Sequence, residues 1–186
     1  MNRREALKSV AFLMGSAISV TSMGVLFESF TLPEKEKNQV SFSATDEEIL
    51  AEFADIIIPT TASSPGAKAA GLGAFIPMMI RDCYPAQMQK VFADGLKAMQ
   101  YKCSKDLNKD FLSMSVEERQ KLMTDLKDET ITNDKAPSFF LLARDLTILG
   151  YFSSEIGCTQ AREYLPVPGR YDGSADYKPG QKAWAT

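Results

Sequence analysis

Histidine is absent from all 186 residues, and cysteine occurs only three times. Without imidazole there can be no histidine-dependent catalytic triad, no histidine haem ligand pair and few of the usual zinc sites. Cys83, Cys103 and Cys158 stand 20 and 55 residues apart, which excludes a Cys-x-x-Cys metal or haem motif. An odd number of thiols allows at most one disulfide. Cysteine also behaves as a small hydrophobe, and in that role these three belong in a core. No glycine-rich phosphate loop appears. Cationic blocks are missing too: outside positions 1–32 the chain carries 18 basic and 22 acidic residues, with no basic stripe. Nucleic-acid binding is thereby excluded as a reading.

The N-terminus has a marked pattern. Asn2-Arg3-Arg4-Glu5-Ala6-Leu7-Lys8 runs directly into an uncharged apolar stretch, Ser9–Phe27. A basic start followed by an apolar segment and then polar chain is the order of an export signal. The arginine pair Arg3-Arg4, with Leu7 and Lys8 behind it, fits the twin-arginine type, although Asn2 and Ala6 depart from its preferred Ser and Phe. The apolar stretch is about as long as the ~20 residues that span a bilayer, but serines, a threonine and glycines dilute it. Ser22-Met23-Gly24 is the nearest small-x-small cleavage site, so two outcomes stay open, a cleaved leader or an uncleaved tether. Residues 1–32 are read as this signal or anchor and 33–44 as a linker. The remaining chain is expected in the periplasm, either free or attached to the inner membrane.

About 154 residues follow position 32, one domain of ordinary size. Residues 45–164 are read as an all-α bundle of about five helices. Thr45 and Glu48 have capping-box spacing before Ile49, Leu50, Phe53, Ala54 and Ile57, and Pro59 ends that helix. A second helix is expected over Ala67–Cys83 despite Gly71, Gly73 and Pro77. A third has Pro85 in its first turn and Met88, Val91, Phe92, Leu96, Met99 and Cys103 at helical spacing. Ser115 and Glu118 cap a fourth. The fifth, Phe139–Phe152, is apolar on nearly every side, the pattern of a central helix. Within it, Arg144 and Asp145 are expected to form a buried or interfacial ion pair. No segment alternates with period two, so little sheet is expected.

The C-terminal segment 165–186 differs from the bundle. Prolines and glycines forbid a regular helix there, yet Tyr171, Tyr177 and Trp184 argue against plain disorder, which is aromatic-poor. An extended strap is expected, lying either on its own bundle or on a partner.

Several stretches together resemble the gluconate 2-dehydrogenase subunit 3 family. They are Phe53-Ala54-Asp55-Ile56-Ile57-Ile58-Pro59-Thr60 with Ser64-Pro65-Gly66-Ala67-Lys68-Ala69-Ala70-Gly71, then Phe111-Leu112-Ser113, Gly150-Tyr151-Phe152-Ser153-Ser154-Glu155-Ile156-Gly157 and Tyr164-Leu165-Pro166-Val167-Pro168-Gly169-Arg170-Tyr171. The resemblance implies a small, non-catalytic subunit, with FAD in its partner rather than in this chain. The implied partner is a flavoprotein catalytic subunit of the glucose-methanol-choline type, sometimes joined by a c-type cytochrome subunit. It also implies that the small subunit carries the large one through the twin-arginine translocon and supports its folding. The partner would oxidise gluconate, glucose or a glucoside.

The residues themselves give no catalytic, cofactor-binding or metal-binding candidate. Asp55 is read as capping the threonine-rich loop after it, and Glu155 as a salt-bridge partner of Arg162 or Arg170 rather than an acid–base group. Glu155, Arg170, Tyr171, Tyr177 and Trp184 are the candidate partner-interface residues, alongside Arg3 and Arg4 of the export signal. Two other classes compete with the accessory subunit. A carboxylate-based hydrolase would need two convergent acids. A stand-alone membrane-tethered periplasmic binding module would need no partner.

Overall fold

The computed structural model of the chain describes residues 40–106, 108–132, 137–167, 169 and 173–185. Arg3, Arg4, Arg170 and Tyr171 fall outside the described residues, as does everything before Val40.

Helix α1 (Ala44–Ile57) opens with a capping box, but two residues earlier than the Thr45–Glu48 spacing indicates. Ser43 Oγ accepts the Asp46 N–H at 3.1 Å, and the Asp46 carboxylate accepts the Ser43 N–H at 2.9 Å. Both pairs have the same spacing in sequence; Asp46 is further anchored by the side-chain amide of Gln100 at 3.0 Å, which fixes the choice. Burial raises the Asp46 pKa, but the hydrogen bonds from Ser43 and Gln100 outweigh it and leave the carboxyl below its ordinary value. The helix stops at Ile58, whose φ of −127° and ψ of 84° lie outside the helical region that a residue preceding proline avoids.

Helix α2 (Leu72–Cys83) starts five residues later than the expected Ala67. Gly71 adopts a left-handed backbone with φ 75°, so Ala67–Gly71 form a turn and Gly71 becomes the cap. The helix then runs through Pro77. Its packing on α1 depends on Gly73, where a Cβ would fall 2.5 Å from the Glu47 carbonyl oxygen.

Helix α3 (Ala86–Asp106) buries Phe92, Leu96, Met99 and Cys103, as its spacing predicts. Pro85 caps it instead of filling the first turn, its carbonyl accepting the N–H groups of Met88 and Gln89 at 2.8 and 3.1 Å. A short 3-10 turn, Phe111–Ser113, leads to α4 (Val116–Thr132). Here the expected capping box forms: Ser115 N–H donates to Glu118 at 2.9 Å and Glu118 N–H to Ser115 Oγ at 3.3 Å.

Helix α5 (Phe139–Ser153) is capped by Ser138 and packs against all four other helices, which confirms its central place. Rings of Phe53 and Phe92 meet Phe139 with centroids 5.4 and 5.0 Å apart, within the range of favourable aromatic pairing. The helix is not enclosed on every side. Ile148 and Leu149 are 43% and 52% exposed. Arg144 and Asp145 pair at 2.7 Å on the exposed surface, not in the interior, because adjacent residues on this helix point away from the packed face.

A polar brace joins the helices at another point. The Arg119 guanidinium of α4 donates to the carbonyls of Phe111 (3.0 Å) and Leu112 (2.7 Å) and pairs with Glu52 of α1. Glu52 also pairs with Lys68. The hydrogen bond from Lys68 lowers the Glu52 pKa; burial opposes it, and the charges of Lys68 and Arg119 add to the lowering.

After α5 come a π-turn, Gly157–Ala161, and two short parallel strands, β1 (Glu163–Tyr164) and β2 (Trp184–Ala185). The fold is all-α, with five helices and this one pair of strands among the described residues. Of the three free thiols only Cys103 is buried, and burial pushes its pKa up. Cys83 is exposed and Cys158 half-buried, so the core reading of all three cysteines is corrected.

Candidate subunit interface

The stretches quoted above from the 53–71 and 150–165 regions meet at the C-terminal end of α5. The loop after α1 is held by its own backbone and small side chains. Gly66 N–H donates to Thr60 Oγ1 at 2.9 Å, Ala67 N–H to the Ile58 carbonyl at 2.8 Å, and Lys68 N–H to Asp55 Oδ1 at 3.3 Å. Asp55 is thus a loop fastener, the structural role assigned to it from the sequence. The loop closes so tightly that a Cβ at Gly66 would lie 2.5 Å from Asp55 Oδ1 and 2.6 Å from the Thr60 nitrogen.

Tyr151 joins this loop to α5. Its side chain is 1% exposed, and its hydroxyl donates to the Pro65 carbonyl at 2.7 Å with Ser64 Oγ 3.3 Å away. Sequence reasoning assigned Tyr151 no individual role; a tyrosine in a mostly apolar helix is the signal, since a buried hydroxyl requires a partner. Ser154 then ends the helix. Its hydroxyl donates to the Tyr151 carbonyl at 2.7 Å and accepts the Gly157 N–H at 3.1 Å. Cys158 Sγ donates to the Phe152 carbonyl at 3.1 Å. This tight reversal is why position 157 is glycine: a Cβ there would fall 1.8 Å from the Tyr151 oxygen.

Glu155 is exposed and forms no ion pair with Arg162. The Arg162 guanidinium instead lies over the Phe152 ring, 4.5 Å from its centroid, a cation–π contact. The proposed salt bridge to Arg162 is therefore not formed, and Arg170 lies outside the described residues. Beyond β1 the chain makes a long excursion and returns. Glu163 N–H donates to the Ala183 carbonyl and Leu165 N–H to the Ala185 carbonyl, both at 2.9 Å, while Lys182 Nζ donates to the Gln160 carbonyl. Ala185 is buried. The tail is thus tied back onto its own subunit at its end.

Large apolar side chains are concentrated on this end-piece. Tyr164, Leu165, Val167, Tyr177 and Trp184 are all exposed, Val167 and Tyr177 by 79% and 76%. In the parallel pair Glu163 lies opposite Trp184 and Tyr164 opposite Ala185. Strand residues alternate between faces, so Ala185 turns inward and Trp184 outward. Of the candidate interface residues, Glu155, Tyr177 and Trp184 are exposed.

Two depressions lie on the helical body. A pocket of about 480 Å³ beside the 3-10 turn is lined in part by Thr45, Gln100, Phe111 and Asp110. Asp110 is the only carboxylate among its described lining residues, whereas a two-carboxylate hydrolase needs a convergent pair. Asp125, Asp128 and Glu129 share a shallow depression, where Glu129 is paired with Lys102. No helix among the described residues is long and apolar enough to cross a membrane.

The chain belongs to the gluconate 2-dehydrogenase subunit 3 family: the family model described as gluconate 2-dehydrogenase subunit 3 matches residues 44–169. The match covers all five helices and β1 and ends at Gly169, before β2. No curated protein and no solved structure matches the chain. Family membership makes this a subunit-3-like accessory subunit and implies a place within a gluconate dehydrogenase complex.

Proposed function

We propose that this chain is the non-catalytic small subunit of a periplasmic, flavin-dependent dehydrogenase acting on gluconate, glucose or a glucoside. In this reading it binds a glucose-methanol-choline-type flavoprotein in the cytoplasm. It then carries that folded partner through the twin-arginine translocon by means of Arg3 and Arg4, and supports the partner's folding. A c-type cytochrome subunit is a further candidate member of the complex, and FAD belongs to the large subunit.

The observation that carries the reading is the family match across the whole helical body. Two features support it. The twin-arginine sequence stands ahead of that body in the same chain, and the exposed aromatic end-piece supplies residue types common at interface hot spots. The test is purification of the tagged chain from its native host, followed by identification of the co-purifying proteins and their flavin absorbance. A stoichiometric flavoprotein with sugar dehydrogenase activity is the expected result. Recovery of a chain that is soluble, monomeric and alone would favour the tethered binding module instead.

A further inference from the structure

We infer that the pocket between the first turn of α1, the C-terminal half of α3 and the 3-10 turn Phe111–Ser113 binds a primary alkylammonium, supplied by a lysine side chain or by a free small amine. This site is separate from the accessory role proposed above and does not depend on it. The pocket holds about 480 Å³, a volume within the range of small-ligand sites. Its polar lining is Thr45, Gln100, Asp110 and Ser113, with no cation among them. The Ser113 hydroxyl donates its one proton to the Asp110 carbonyl at 2.8 Å, so any further bond it makes is as an acceptor. The Gln100 amide nitrogen donates to Asp46 Oδ1 at 3.0 Å, which orients that side chain and keeps its oxygen as an acceptor. Asp110 opens the 3-10 turn without a side-chain cap, and its carboxylate has no hydrogen bond or ion pair among the described residues.

The local charges select the sign of the ligand. Arg119 is committed to the Phe111 and Leu112 carbonyls and to Glu52, and Lys109 is paired with Glu118 at 2.7 Å. Lys97 acts on Asp46, so Asp110 is left without an opposite charge of its own. The positive end of the α1 dipole is offset by Asp46 and Glu47 in the first turn. Burial raises the pKa of the Cys103 thiol, one turn on from Gln100, and the charges of Asp106 and Asp110 raise it further, a sign of the negative field there. An ammonium carries three donors and no acceptor, the complement of a carboxylate, an amide oxygen and hydroxyls. Ile49 and Phe111 are buried and give the pocket an apolar side for an alkyl stem, from which a bare inorganic cation would gain nothing.

Titration of the full chain with n-butylammonium at constant ionic strength, followed by the amide resonances of Gln100, Phe111 and Ser113, tests the site. Saturable shifts are expected there, with n-butanol and butyrate binding at least about ten-fold more weakly, the worth of one hydrogen bond to a charged group. Asp110→Asn keeps the side-chain shape and breaks no described side-chain bond, so the far-UV dichroism should be unchanged while affinity for butylammonium falls about ten-fold or more. Asp125→Asn, in the acidic depression on α4, should leave that affinity within about two-fold, because water and salt screen a distant charge. Two further probes separate the sources: tighter binding of N-acetyl-lysine amide assigns a lysine side chain, and tighter binding of putrescine a free diamine. Butylammonium that binds no better than n-butanol, or equally well to Asp110→Asn and wild type, overturns the inference. An Asp125→Asn effect as large as that of Asp110→Asn would reduce the binding to general attraction by an acidic surface and overturn it equally.

Discussion

Replacing Tyr151 by Phe tests the join between the loop after α1 and the end of α5. The substitution keeps the ring, its burial and its packing against Phe152, whose centroid lies 5.2 Å away. It deletes only the hydroxyl that donates to the Pro65 carbonyl at 2.7 Å. A neutral hydrogen bond contributes ~0.5–1.5 kcal/mol net, and leaving a buried acceptor unpaired raises the cost to ~1–3 kcal/mol. The hydroxyl also lies 3.3 Å from Ser64 Oγ, in a loop where the Ser64 N–H donates to Thr61 Oγ1 at 3.2 Å. A loss of about 2 kcal/mol should lower the melting temperature by ~4–8 °C for a domain of this size. Thermal unfolding followed by far-UV circular dichroism gives the answer, with Ser64→Ala as a control expected to fall within ~0.5 kcal/mol of wild type. A Tyr151→Phe variant that melts with wild type would show that the hydroxyl does not hold the loop, and the account of this end-piece as one fastened unit would fail.

Leu146, 1% exposed on the inner side of α5, should lose ~2–5 kcal/mol on truncation to Ala, whereas Leu149→Ala, at 52% exposure, should be near neutral; urea titration of both separates the two faces of the helix. Glu52 has a folded pKa below its ordinary value of 4.5, so its contribution to stability is complete above that value and is lost as pH falls through the lower, folded value. Glu52→Gln should therefore be less stable than wild type at neutral pH and show a shallower stability loss on acidification, and parallel curves for the two proteins would refute the pairing with Lys68 and Arg119. Deleting residues 172–186 should leave helical dichroism intact and weaken capture of the flavoprotein. Single alanine substitutions of Arg170, Tyr171, Tyr177 or Trp184 should do so in smaller measure, while full co-purification by all of them would place the interface elsewhere on the subunit.

Much of the helical body was readable from spacing alone, because apolar residues at intervals of three and four leave few other solutions. The boundaries were less so. Thr45–Glu48 and Ser43–Asp46 offer the same capping geometry in sequence, and only the long-range bond from Gln100 to Asp46 separates them. The start of α2 turned on whether Gly71 would take a left-handed backbone, a choice sequence leaves open. The exposure of Ile148 and Leu149 was hidden for a related reason: hydrophobicity all around a helix signals burial, yet four neighbours do not enclose α5 completely. At the end-piece, composition forecast an extended aromatic tail but not its return to β1. That return rests on pairing between residues 21 positions apart, which no local pattern encodes. Arg162 was assigned a carboxylate and found an aromatic face instead, a contact available only after the π-turn brings it back over Phe152.

The central claim is that this subunit exports a catalytic partner, and the most direct measurement follows that partner's location. In cells producing the Arg3→Lys, Arg4→Lys variant, positive charge is kept but the guanidinium fork is lost. The account predicts that sugar dehydrogenase activity and the flavoprotein then disappear from the periplasm and accumulate together with this chain in the cytoplasm. Periplasmic activity at the wild-type level, with the variant chain exported or without it, would contradict the carrier role.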